Sequence, residues 1–92
     1  MKNINNLANS PDHPIYFAKH EVLNDEVAKN ARLEALHKAS SLGNEQYEVR
    51  IVFINDEEEE ENLDTIIMMS DADYVEVLGG MDIPVRCILR VE

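Results

Sequence analysis

Ninety-two residues make one small domain, and a single cysteine excludes an intrachain disulfide or a Cys-built zinc site. Hydrophobic residues form 45% of the chain without a Trp, so a core is expected from Val, Ile, Leu, Met and Ala. The formal charge of −11 is uneven: residues 1–44 carry five acids and five bases, residues 45–92 fourteen acids against Arg50, Arg86 and Arg90. A C-terminal half of that sign repels nucleic acid and anionic membranes; it serves solubility or favours basic partners.

Residues 1–14 are Asn-rich and end in Ser10-Pro11-Asp12-His13-Pro14, whose prolines disfavour helix before them. They are read as a flexible leader, with the domain over 15–92. The opening Met1-Lys2-Asn3-Ile4 lacks the apolar core of a signal peptide, and no apolar stretch approaches the roughly 18 residues of a membrane span. A cytoplasmic protein without a membrane partner is expected. Ile15, Tyr16 and Phe17 fit either a short strand or the first turn of a helix.

A helix is predicted over Asn24–Leu42, capped by Asn24, with Asp25 and Glu26 at the positive end of its dipole and Gly43-Asn44 as its stop. Val27, Ala28, Ala31, Ala35, Ala39 and Leu42 share one face of the wheel, and Leu33 and Leu36 fall outside it. From Glu45 the period changes to two. Tyr47, Val49, Ile51 and Phe53 form one face of a strand, with Glu48, Arg50, Val52 and Ile54 on the other. Leu63, Thr65, Ile67 and Met69 alternate likewise with Asp64, Ile66 and Met68. These strands need cover on both faces, from a core on one side and from the helix or a second subunit on the other.

Ser70-Asp71-Ala72-Asp73 has hairpin-turn chemistry, and Gly79-Gly80 after Tyr74–Leu78 permits the positive φ of a second hairpin. Met81–Val85 contains Pro84, which marks an edge or a bend. Arg86-Cys87-Ile88 makes a tight turn before a last short strand, Leu89–Val91. The order helix, long strand, variable loop, strand, short turn, strand, Gly-Gly turn, strand, tight turn, strand resembles the small SH3-like and Sm-like β-barrels. The segment Ile83–Val91 would supply their penultimate strand, 3₁₀ turn and closing strand, and is similar to the C-terminal ends of short bacterial proteins. The resemblance implies an α+β fold: an N-terminal helix followed by a strongly bent four- to five-stranded antiparallel sheet closed as a barrel. Sm-like proteins assemble into rings that bind RNA, but the hairpins here carry Asp71, Asp73 and Asp82 where polar and basic side chains would be needed.

The run Asp56, Glu57, Glu58, Glu59, Glu60 and Glu61 offers carboxylates for Ca²⁺ or Mg²⁺ but lacks the alternating ligands and turn glycine of a built site. It is expected as a solvated loop that, with Leu33 and Leu36 on the outer helix face, docks a basic protein partner or a second copy in a homo-oligomer. His13, His20 and His37 stand in no metal-binding spacing. Cys87 follows Arg86, which lowers a thiol pKa, yet its place between apolar strands favours a small buried side chain. Ser10, Ser40, Ser41 and Ser70 lack a nucleophile context, and Gly79-Gly80 is a turn, not a phosphate loop. No catalytic residue, cofactor site or metal ligand is assigned, and the expected function is a non-enzymatic protein-interaction or self-assembling module. One alternative, Sm-like nucleic-acid binding, requires Arg50, Arg86 and Arg90 to converge away from the acids. A second, a small metal-dependent regulator or enzyme, requires His20 or His37 within reach of Asp64, Asp71 or Asp73.

Overall fold

The computed structural model describes Lys2, Asn3 and residues 15–92. Apart from Lys2 and Asn3, the expected leader, with His13, lies outside the described residues. The elements are β1 (Lys2–Asn3), α1 (Glu26–Ser41), β2 (Glu48–Ile54), β3 (Glu60–Ser70), β4 (Tyr74–Val77), β5 (Asp82–Pro84) and β6 (Ile88–Val91). Single 3₁₀ turns cover Gly43–Glu45 and Val85–Cys87. The fold is α+β. Five strands pair antiparallel in the order β5-β4-β3-β2-β6, and β1 lies parallel beside β3.

Within the antiparallel path strand β3 serves two partners. Glu60–Ile66 pair with β2, and Ile67, Met69 and Ser70 pair with β4, with a register shift between Ile67 and Met69. The sheet therefore has two halves, β6-β2-β3 and β3-β4-β5, that share one long strand. It does not close into the expected barrel: β5 and β6 stand at opposite ends of the path, joined through Val85–Cys87. Pro84 ends β5 without an N–H to give to a ladder, and the chain turns away there.

The core side of both halves is continuous. Val49, Ile51 and Phe53 of β2 pack with Leu63, Ile67, Val75, Val77, Ile83, Val85, Cys87 and Ile88, and with Leu36 and Ala39 of α1. The helix thus covers the core face, not the second face. Asp25 rather than Asn24 caps it, accepting a hydrogen bond from the Ala28 amide at 3.3 Å. Its buried stripe is Arg32, Leu36 and Ala39, continued by Gly43, while Val27 on the expected face is 74% exposed.

Two contacts explain this rotation of the helix. Arg32 donates to both carboxylate oxygens of Glu21, each at 2.8 Å, and to the Ile88 carbonyl at 3.0 Å, which ties the helix to β6. At the other end a Cβ on Gly43 would collide with the Ile67 carbonyl oxygen, so only glycine lets the chain sit there. The segment between residues 15 and 23 joins the sheet. Phe17 bridges Asn55, the Ala18 amide bonds the Ile54 carbonyl at 3.1 Å, and the Phe17 and Phe53 rings meet at 5.5 Å.

Candidate docking surface

The acidic run is not one loop. Asn55 pairs across the hairpin with Glu59, and its side-chain oxygen accepts from the amides of Glu57 and Glu59, both at 2.9 Å. Asp56, Glu57 and Glu58 form the turn, with Glu58 at φ 62° in the left-handed position that closes such turns. Glu60 and Glu61 open β3, and Glu61 is buried against the Asn55 amide at 3.0 Å. An asparagine that satisfies the backbone of the turn orders what the charge run alone suggests is loose.

The other expected docking residues also move. Leu36 is fully buried in the core and offers no surface, and Leu33 is half-buried. Arg50 donates to Asp64 at 2.7 Å, Arg90 to Glu92 at 2.6 Å, and Arg86 to the Ala18 carbonyl at 3.1 Å. His20 meets Glu58 at 2.8 Å rather than Asp64, Asp71 or Asp73, and His37 is exposed on α1. Among the described residues no group of three or more His, Cys, Asp or Glu side chains is arranged to hold a metal ion. Cys87 is buried, and burial pushes its thiol up to about 12 despite the neighbouring Arg86.

A surface that sequence reasoning missed lies on the outer face of the β3-β4-β5 half. In β4, Val75 and Val77 point into the core, so Tyr74 and Glu76 face outward; Leu78, whose amide bonds the Ile66 carbonyl at 2.9 Å, continues that side. In β3 the register shift between Ile67 and Met69 sets two residues, Met68 and Met69, against Glu76. This β-bulge moves Met69 off the core face on which simple alternation puts it. Met69 is 66% exposed, Leu78 54%, Tyr74 48% and Met68 39%.

The charges on this face are as unusual as its apolar groups. Glu76 lies directly opposite Asp82 in the β4–β5 ladder, and like charges so placed destabilise a sheet. Neither forms an ion pair with a described Lys or Arg, whereas Arg50 and Asp64, directly opposite in the β2–β3 ladder, pair with each other. Asp71, at the adjacent turn, accepts from the amides of Tyr74 and Asp73, both at 2.8 Å, which holds its carboxyl below the usual range. The period-two row Tyr74, Glu76, Leu78 was visible in the sequence; the bulge that adds the methionines was not.

A concavity of about 180 Å³ lies between α1 and β2, lined by Ala35, Ala39, Leu42 and Val49. Lys38 stands on its lining as well as Glu92, so it has no single charge preference. No helix among the described residues is long and apolar enough to cross a membrane. No family model, curated protein or solved structure matches this chain.

Proposed function

We propose that this chain is a non-enzymatic protein-docking domain whose strands follow the SH3-like or Sm-like order, and that it works through the outer face of β3 and β4. The observation that carries this reading is the exposure of Met68, Met69, Tyr74 and Leu78 around one stretch of sheet. Fully burying an apolar side chain of this size is worth about 1.5–3 kcal/mol, so two or three anchors offset a good part of the cost of association. Methionines suit such a surface because their flexible, polarisable side chains adapt to a partner's shape. The SH3-like order is supported by a long strand shared between two three-stranded halves and by the 3₁₀ turn before the last strand.

Self-association through the same face is the second reading, favoured only by the apolar groups; the acids beside them would repel their copies at low salt. Site-specific photo-crosslinking in cells tests the reading, with the reactive side chain at Met69 or, as control, at Val27, which is equally open but on the helix. Reproducible crosslinks to one protein from position 69 and none from 27 support it. Equal yields from both positions, or none from either, reject it.

A further inference from the structure

We infer that the occupant of this face is an extended segment of a basic protein that sets a lysine or arginine between two apolar side chains at alternate positions. The inference rests on the docking reading above and adds the chemistry of the partner. Three features of the face lead to it.

The first is the Glu76–Asp82 pair. Two carboxylates directly opposite each other cost stability that a cation between them would return, and no described residue of this chain supplies one. The second is the flanking apolar groups. Tyr74 in β4 and Leu78, just past its end and still bonded to the Ile66 carbonyl, stand on either side of Glu76, with Met68 and Met69 across from it on β3. A lysine or arginine is the cation that suits this neighbourhood, because its aliphatic stem covers apolar surface while its head reaches the acids.

The third feature is spacing. Outward positions along a strand recur every two residues, about 6.7 Å apart. The row Tyr74, Glu76, Leu78 is therefore apolar, acidic, apolar at the repeat of an extended chain. Its complement is an extended segment reading apolar, basic, apolar on the face it presents. Lying across the face, such a segment needs no free ladder edge, and the edge of β5 is in any case blunted by Pro84. A second copy of this chain would bring the same acids and so does not fit.

Three synthetic peptides test the inference: a Leu-Ser-Lys-Ser-Leu repeat, the same repeat with Glu for Lys, and the same with Ser for Lys. The readout is the shift of backbone amide signals of β3, β4 and β5 at low and high salt. The expected result is that the lysine peptide alone shifts signals at these positions, with affinity falling as salt rises. The double variant Glu76→Gln with Asp82→Asn should lose most of that salt dependence and bind about tenfold more weakly; Met69→Ser with Leu78→Ser should also weaken binding by about tenfold or more.

Equal binding of all three peptides overturns the basic-partner inference while the docking reading stands. Lysine-peptide binding that persists in the Glu76→Gln, Asp82→Asn variant, or that shifts only Asp56–Glu59, overturns it as diffuse attraction to acid. A rise in solution mass with concentration that needs Met69 and ignores the peptides assigns the face to a second copy instead. If no peptide binds, the inference fails; if crosslinking from position 69 is also silent, the docking reading fails with it. Because all four substituted side chains face outward, urea unfolding checks that each variant remains folded.

Discussion

The two halves of the sheet share β3 and one core, yet their outer faces differ. On the β6-β2-β3 half Val52 is 1% exposed, Arg50 is matched to Asp64 directly across the ladder, and Arg90 reaches Glu92. On the β3-β4-β5 half Met69 is 66% exposed and Glu76 faces Asp82. A sheet stabilised only for its own sake would match charges on both halves, since opposite charges across a ladder help and like charges hurt. The contrast separates residues that hold the molecule together from residues left unsatisfied within it, and the two groups should respond differently to substitution.

The largest effect is expected where the first half is tied to the helix. Arg32 is 6% exposed and fixes α1 to Glu21 and to the Ile88 carbonyl. Arg32→Ala leaves both without their partner and should cost about 3 kcal/mol in urea unfolding, the low end for a buried pair because Glu21 retains some access to water. The hydrogen bond from Arg32 holds the Glu21 carboxyl below its ordinary value of 4.5 even though burial opposes this. Stability from this pair is therefore present above that value and lost as pH falls through the lower folded one. Arg32→Ala should flatten the acid limb of the stability profile, and an unchanged limb would show that Glu21 owes nothing to Arg32.

Next in size is the joint between the halves. Gly43 rests on the Ile67 carbonyl at the point where β3 exchanges β2 for β4 as its partner. Gly43→Ala forces backbone apart and should cost about 2 kcal/mol, as overpacking does elsewhere. Equilibrium urea unfolding gives this directly, and a loss under a few tenths of a kcal/mol would mean the helix end can move without strain. In the sequence this glycine reads as a helix stop; its close approach to β3 has no local signature.

Much of the fold was legible because period-two alternation reports strands and because turn residues mark their ends. Glu48–Ile54, Tyr74–Val77 and the 3₁₀ turn near Cys87 lie where that pattern puts them. What failed did so for reasons of tertiary contact. Leu36 went to the core because Arg32, four residues earlier, found Glu21 and took the stripe inward with it. The acids after Asn55 became a bonded turn through a side chain outside the run. Least legible was the candidate site, since one extra residue in β3 carries Met69 to the outer face, and a bulge cannot be seen in a list of apolar positions.

On the second half the expected effect is smaller and opposite in sign. Glu76→Lys places a cation across from Asp82 and converts a like pair into an opposite one. Stability should rise by about 0.5 kcal/mol, while binding of the lysine peptide should fall below detection. Urea midpoints and amide shifts measured on the same sample check both. A variant that loses stability instead would indicate that Glu76 already has a favourable role within the fold, and the contrast between the halves would weaken accordingly.

The smallest effect concerns the turn on the first half. His20 is exposed, and its hydrogen bond to Glu58, with a lesser contribution from the Glu21 carbonyl, raises its pKa above 6.5. Because the folded value is raised, this contribution is fully present below 6.5 and lost as pH rises through the folded value. Glu58→Gly removes the acceptor but also relieves a left-handed backbone at φ 62°, a gain of about 1 kcal/mol that the greater freedom of glycine in the unfolded chain cuts to a few tenths. The variant should therefore gain most over the parent chain at high pH, where the histidine is neutral in both, and less at low pH, where only the parent has the charged pair. Thermal melts across this range measure the difference. A gain independent of pH would separate the turn from His20 and leave backbone geometry as the only thing that Glu58 contributes there.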